Sequence, residues 1–384
     1  MKSIYQKLSK SRAINFLSSL ELSVVCLSLL AILTFWGTLY QAEYGLYAAQ
    51  QKFFRSWIFM SAGFIPFPGT RLVLWVFTVN LMTSVLFRQS HAWSNFGILL
   101  THYGIILLMI GGFVTFHFAK ESQVTLKEGA STSLSADYID WEISIWQSHN
   151  PSRDITAVWT GPSLEGVSVP LPELGLDLTI QKYLVNCDAF TASRSNENSL
   201  NMNSSGIQSL QEKSPDVEPA KNTPGVIFTV LSREGEKSDI LLYSQDPRPT
   251  IVSVGGKSYM FQLRHRRYSL PLGMHLKDFR MTKYPGVEKA KSYESTVEID
   301  TGRLKRDIVI SMNDPFRFDN HTFYQASYMI ASDGSEYSTF AVVRNAGRLI
   351  PYIAISLTGL GLINHFLIKL ILAMRKKRSN RKKK

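Results

Sequence analysis

Cysteine is nearly absent from this chain: only Cys26 and Cys187 occur in 384 residues. Cys26 lies in an apolar run, and Cys187 lies in a polar region that we expect in another compartment, so we predict no disulfide between them. No CxxC motif is present, which excludes a thiol–disulfide exchanger of that type, and no CxxCH motif is present for covalent haem attachment. Walker A, GxGxxG and HExxH motifs are also missing, so the sequence offers no recognisable route to ATP hydrolysis.

Acidic residues are missing from both ends of the chain. Residues 1–12 contain four Lys or Arg and residues 369–384 contain nine, whereas the remaining 29 basic residues nearly balance the 30 acidic ones. The net charge of +12 therefore comes from two terminal segments and not from a basic groove, so we expect no nucleic acid partner. Lys and Arg concentrate on the cytoplasmic side of membrane helices, which predicts that both termini are cytoplasmic and that the number of spans is even.

Four apolar runs are long enough to cross a membrane, at about residues 20–40, 72–87, 97–118 and 348–373. We therefore predict a polytopic membrane protein with four transmembrane α-helices. In this prediction residues 1–19 are a basic cytoplasmic N-terminus, and residues 374–384 are a basic cytoplasmic tail. An aromatic-rich loop, 41–71, follows the first span on the outer side of the membrane.

The region between the third and fourth spans, residues 119–347, is polar and has the pattern of a β-rich domain. Short alternating runs are separated by turn signals such as Gly255–Gly256 and Asp333–Gly334. Ten or so strands with few helical periods predict a sandwich-like extracytoplasmic domain, or alternatively a pair of packed small sheets. Residues 191–223 are rich in Ser and Asn, and we interpret them as a mobile insertion.

The third apolar run, FGILLTHYGIILLMIGGFVTFHF, contains no Asp, Glu, Lys or Arg but does contain His102. An ionisable side chain inside a span is costly, which makes His102 a candidate functional residue; the alternative is a histidine that bonds a neighbouring helix or lies among headgroups. Gly104 and Gly111 provide a smooth face for another helix. His365, in the last span, is predicted at a similar depth near the inner face, so two imidazoles on separate helices share one level.

These features, taken with longer motifs, resemble the ResB-type proteins of cytochrome c biogenesis, known as System II. The resemblance extends over nearly the whole chain, although 191–223 departs from the pattern. It is carried by LSSLELSVVCLSLLAILTFWGTLYQ, HYGIILLMIGG, VTLKEGAS, RRYSLPLGMHLKDFRMTKYPGVEKAKSYESTVEI, NDPFRFDNHTFYQASY and NAGRLIPYIAISLTGLGL.

The resemblance implies a multi-pass protein of the bacterial inner (cytoplasmic) membrane. It would be one subunit of a cytochrome c synthetase complex that exports haem and supports its attachment to CxxCH thiols of apocytochrome c outside. Haem b would be bound without a covalent bond, with His102 as an axial ligand of the iron and His365 as a second candidate. The expected partners are a CcsA-type haem-handling membrane protein, apocytochrome c and thiol-reducing proteins. We expect no catalytic residues in this subunit, and we expect it to have no catalytic activity without its CcsA-type partner.

The sequence also allows a different class of function. The chain is alternatively a membrane-anchored β-domain that scaffolds a cell-envelope complex without haem, and His102 is the feature that separates the two hypotheses. We interpret the other histidines as ordinary surface, interface or core residues; these are His91, His117, His149, His265, His275 and His321.

Overall fold

The computed structural model describes residues 11–61, 63–90, 92–148, 154–191, 203–287 and 290–381, with side chains to residue 375. Two compact units are present, each with its own contacts. The helical unit combines residues 1–120 with residues 345–384, and the β unit comprises residues 121–344.

The helical unit contains five described α-helices: α1 (Arg12–Leu17), α2 (Leu20–Ala49), α3 (Thr70–Thr83), α4 (Phe96–Phe118) and α5 (Ile350–Arg381). Four stretches are long and apolar enough to cross a membrane: Leu20–Arg55, Thr70–Arg88, Trp93–Phe118 and Ile350–Arg375. The four helices predicted from the sequence are therefore present.

The first of these stretches extends further than the sequence indicated. Helix α2 bends at Gly45, whose φ of 82° favours glycine, and then continues through a π-helical turn, Gln50–Arg55. The segment 41–71, predicted as a loop, is thus helical as far as Arg55. It then forms a short hairpin of strands β1 (Ile58–Ser61) and β2 (Ile65–Pro68). Phe53 is fully buried against Trp36 and Phe59, which explains why the aromatic residues of this segment fold back onto α2.

A buried amide fixes the start of α2 against α3. The Asn80 side chain donates hydrogen bonds to Leu17 O at 2.7 Å and to Ser19 O at 2.9 Å, and its Oδ1 accepts one from Ser23 Oγ at 2.6 Å. Ser19 also caps α2, because its hydroxyl accepts a bond from Leu22 N. Asn80 therefore forms the helix–helix hydrogen bonds expected of a polar residue inside a span.

The β unit contains sixteen described strands in three sheets. The largest sheet has ten strands in the order β15-β14-β13-β4-β3-β18-β17-β16, with β12 on β13 and β5 on β4; the others are β11-β10-β7-β6 and β8-β9. The strands are β3 (Lys120–Lys127), β4 (Ser131–Gln147), β5 (Thr156–Thr160), β6 (Ser168–Leu171), β7 (Leu176–Leu184), β8 (Cys187–Phe190), β9 (Ser209–Glu212), β10 (Gly225–Ser232), β11 (Lys237–Tyr243), β12 (Thr250–Val254), β13 (Lys257–Lys283), β14 (Ala290–Asp300), β15 (Lys305–Ser311), β16 (Phe316–Phe318), β17 (His321–Ile330) and β18 (Glu336–Arg344).

The β-rich prediction is confirmed, but the domain does not close as a sandwich. Strand β13 is 27 residues long and borders two separate cores. Its first part, including Phe261, packs with the four-stranded sheet, and its later part, including Leu276, packs within the ten-stranded sheet against Phe323 and Phe340. One continuous strand thus joins two half-domains, so two independent sheets do not face each other throughout.

Two predicted hairpins are present, and the predicted insertion is partly described. Gly255 and Gly256 have φ values of 60° and 69° and join β12 to β13, as expected for a turn that needs positive φ at both positions. The Asp333–Gly334 turn joins β17 to β18. Of the segment predicted as mobile, 191–223, residues 192–202 lie outside the described residues, while 203–223 contain β9, which pairs with β8.

Candidate functional site

Helix α4 packs against α5 through glycines. A Cβ atom added at Gly97 would lie 2.7 Å from Gly361 O and from His365 Cα, and one added at Gly104 would lie 2.8 Å from Ala354 O. At Gly111 the added atom would lie 2.6 Å from a methyl carbon of Ile350. The three glycines are seven residues apart and share one face, so the two backbones approach as closely as small residues allow in membrane helix pairs.

The other side of α4 packs against α3 through larger side chains. Leu99 and Ile106 of α4 form a buried cluster with Leu81 of α3 and with Val85 of the π-helical turn that follows it. This face therefore has side-chain packing that can adapt, in contrast to the backbone contact on the glycine face.

His102 belongs to the α3 side of α4. It lies four residues before Ile106 and five after Gly97, which at about 100° per residue places it about 40° from Ile106 and about 140° from Gly97. The side chain is half-buried, and its Nδ1 lies 2.8 Å from Ile98 O, to which it donates a hydrogen bond. In the neutral tautomer that makes this bond, the lone pair is on Nε2.

His365 lies on the opposite side of α4. Its backbone packs against Gly97, and its Nδ1 is buried without a hydrogen-bond partner among the described residues. Since Gly97 precedes His102 by five residues, the two histidines differ by about 7.5 Å along the helix axis. The structure therefore places both imidazoles in the same half of the helix pair but does not bring them to one side of α4; their roles as ligands stay predictions.

The donor set indicates what kind of metal species these residues fit. No group of three or more His, Cys, Asp or Glu side chains that could hold a metal ion occurs among the described residues. A single imidazole in an apolar helix, with its Nδ1 bonded to a carbonyl, suits an iron that is already chelated by a porphyrin and needs only axial ligands.

Sequence comparison adds a family. Residues 250–350 match the ResB-like family. The predicted resemblance is therefore confirmed over this stretch, and the match is consistent with a ResB-type protein. It covers β12 to β18 and ends at the start of α5, so it includes neither His102 nor His365. A comparison with curated proteins finds no match.

Within the ResB-like stretch, the FYQASY motif builds the β core. Gln325 is buried and its Nε2 donates a hydrogen bond to Ser338 Oγ at 2.7 Å, while that hydroxyl lies 2.8 Å from Ser295 Oγ. Tyr328 stacks on Phe279 with ring centroids 5.3 Å apart. These contacts join β17 to its neighbours, which is a structural role.

The remaining described histidines have local partners of their own. His117 donates from Nδ1 to Phe113 O at 3.0 Å, and His275 Nδ1 lies 2.9 Å from Ser131 Oγ. His265 packs on Trp141 with ring centroids 3.9 Å apart; burial lowers the pKa of His265, and the charge of Asp137 opposes that shift. Burial also lowers the pKa of His321, helped by Arg344. His91 and His149 lie outside the described residues.

Proposed function

We propose that this protein is the ResB-type subunit of a System II cytochrome c synthetase complex in a bacterial cytoplasmic membrane. In this proposal it takes haem at the inner leaflet, exports it, and supports its attachment to the CxxCH thiols of apocytochrome c outside. The family match of residues 250–350 supports the process. The observation that carries the haem assignment is the His102 imidazole, which is half-buried in an apolar helix with its Nδ1 bonded to Ile98 O.

The role of His102 is to hold haem iron through Nε2. The hydrogen bond from Nδ1 orients the ring and makes Nε2 a better donor, as carbonyl partners do for histidine ligands in general. Bound haem supplies the iron that accepts this bond and the vinyl groups that later react with thiols. The chain itself contributes orientation and a site with few competing ligands.

The second axial ligand is expected from a CcsA-type partner rather than from His365. The backbone of His365 packs at Gly97, and Gly97 lies about 140° around α4 from His102. The proposal therefore needs a complex of two proteins to close the iron coordination.

The orientation in the membrane follows from charge. Both termini would be cytoplasmic, because Lys and Arg cluster there, and the β unit would be outside, where apocytochrome c and thiol-reducing proteins act. The β unit would then receive these soluble partners while the helical unit handles haem.

The test compares His102→Ala with His117→Ala in the full chain purified with and without its partner. His117 is a matched control because it lies on the same helix and bonds the carbonyl four residues earlier in the same way. We expect His102→Ala to insert and fold, because a membrane hydrogen bond contributes only about 0.6 kcal/mol on average. It should nevertheless lose the Soret absorbance and cytochrome c maturation, and added imidazole should restore part of both.

His365→Ala is measured in parallel. An unchanged haem spectrum would agree with a ligand from the partner, and a changed spectrum would place His365 at the iron after all. If His102→Ala retains its full Soret band and normal maturation, the ligand assignment fails. If no form of the protein binds haem, the scaffold hypothesis is favoured.

A further inference from the structure

A cavity of about 480 Å³ lies along the surface between α3 and α4. Its walls are mostly apolar, and many of them, such as Trp75 and Phe113, are more than 40% exposed. From Arg71 to Met82 it follows twelve residues of α3, a rise of about 16 Å, which is about half the thickness of a bilayer's hydrocarbon core. The cavity is therefore a groove with the length of one leaflet's acyl chains.

Two guanidinium groups lie at one end of this groove. Arg71 lies 5.4 Å from the centre of the Phe116 ring and 4.7 Å from that of Trp57, and Arg55 lies 5.5 Å from the same Phe116 ring. Two positive charges thus lie within 5.5 Å of the centre of one aromatic ring at the rim. Stacking holds each guanidinium in place but does not neutralise it.

The helical unit has almost no acid to neutralise them. Residues 1–120 and 345–384 contain only two carboxylate side chains, Glu21 and Glu43. Neither of them forms an ion pair with Arg55 or Arg71 in the described part of the chain. An anion from outside the unit would relieve the repulsion between the two cations, and guanidinium groups match phosphate through paired N–H donors.

The apolar groove beside the two arginines indicates which kind of molecule carries the phosphate. An apolar channel of one leaflet's length beside an anion site fits an amphiphile, whereas free phosphate would use only the charged end. We propose that this groove binds one acyl chain of an anionic phospholipid, with the headgroup phosphate held between Arg55 and Arg71. A choline headgroup fits less well, because its ammonium would face the two guanidiniums.

This inference does not depend on the proposed haem function, because it uses neither His102 nor the glycine face of α4. It assigns the outer surface of the α3–α4 pair to a specific lipid. Bound lipid would thereby cover the exposed part of the groove and stabilise the two helices that meet there.

The first experiment uses native mass spectrometry of the full chain in detergent, with phosphatidylglycerol or phosphatidylcholine of the same acyl chains. We expect one phosphatidylglycerol to be retained preferentially. Arg55→Gln/Arg71→Gln should weaken its retention at least ten-fold, because even one lost charge-assisted bond accounts for roughly a factor of ten. The control Lys369→Gln/Arg375→Gln removes the same charge from exposed positions of α5 and should leave retention unchanged.

The second experiment fills the groove without touching the arginines. A Cβ added at Gly112, which lines the groove, meets no atom within 4 Å, and the same is true of Gly359 on α5. Gly112→Leu should therefore fold and block the acyl chain, whereas Gly359→Leu should fold and retain the lipid. Inorganic phosphate at the same concentration should not compete for the site.

Several outcomes would overturn the proposal. Equal retention of the two lipids, or equal effects of the arginine pair and its control, would show ordinary solvation of the helices. Retained binding in Gly112→Leu with competition by inorganic phosphate would indicate a free-phosphate site. If added haemin displaces the lipid and its Soret band depends on Arg55 and Arg71, the groove belongs to a porphyrin instead.

Discussion

Replacing Gly104 by alanine should push α4 and α5 apart. The added methyl group would contact Thr358 Oγ1 and would lie 2.8 Å from both Ala354 O and Thr358 N, whereas ordinary contact begins at 3.4 Å. Two of these three atoms belong to the backbone and cannot rotate away. The helices must therefore separate locally by about 0.6 Å, the difference between these two distances.

The cost follows from overpacking and is partly offset by helix propensity. Forcing a methyl group into a packed interface typically costs about 1–3 kcal/mol. Alanine in place of glycine in a helix contributes about 0.8–1 kcal/mol in the other direction. Gly112→Ala provides the same propensity gain in open space, so the difference between the two variants isolates the overpacking cost, about 1–3 kcal/mol.

The assay is reversible unfolding of the full chain in mixed micelles, followed by far-UV circular dichroism. The unfolding midpoint of Gly104→Ala should lie at a lower fraction of denaturant than the midpoint of Gly112→Ala. Adding Thr358→Ala should not restore it, because the backbone contacts of Thr358 and Ala354 remain. Equal midpoints for the two single variants would refute the close backbone contact, and complete rescue by Thr358→Ala would mean that only the hydroxyl opposed the methyl group.

Two further predictions concern the β unit. The Glu142 and Arg264 side chains are 6% and 15% exposed and pair at 2.9 Å, so Arg264→Met should destabilise the fold by about 3–5 kcal/mol, and Glu142→Leu/Arg264→Met should recover most of that loss; denaturant unfolding measures both. Because burial against Trp141 lowers the pKa of His265, the folded state binds fewer protons than the unfolded state, whose histidine pKa is about 6.5. Stability should therefore fall as the pH drops below about 6.5, and His265→Phe should flatten this dependence in hydrogen exchange of β4 and β13; an unchanged slope would contradict it.

The sequence predicted elements whose signals are local. Apolar runs of sufficient length located four helices, and paired glycines located the β12–β13 turn. The continuation of α2 to Arg55 was missed because Gly45 and the polar Gln50–Gln51 pair suggest a loop, and only the burial of Phe53 against α2 keeps that segment helical. The closure of the sheets was missed for a similar reason, since alternation cannot show that β13 continues through two cores.

The candidate site shows the same division between local and non-local information. His102 stands out in the sequence because its helix contains no charged residue. The Gly97, Gly104 and Gly111 spacing could have located the α5 face, and a helical projection then places His102 away from it. The depth at which His365 meets Gly97 could be known only from the pairing of the two helices. The approach of Arg55 and Arg71 to Phe116 likewise could not be predicted, because the two arginines are far from Phe116 in sequence.

The two faces of α4 differ in their capacity to admit a planar ligand. On the α5 face, Gly97 and Gly104 bring backbone atoms so close that even one methyl group needs a helix shift. On the α3 face, Leu99 and Ile106 pack through side chains, which can change rotamers without moving a backbone. A haem that reaches this helix must therefore approach from the α3 side, which is the side that carries His102. His365 of α5 meets α4 at the glycine contact, where its Nδ1 is buried and has no hydrogen-bond partner among the described residues.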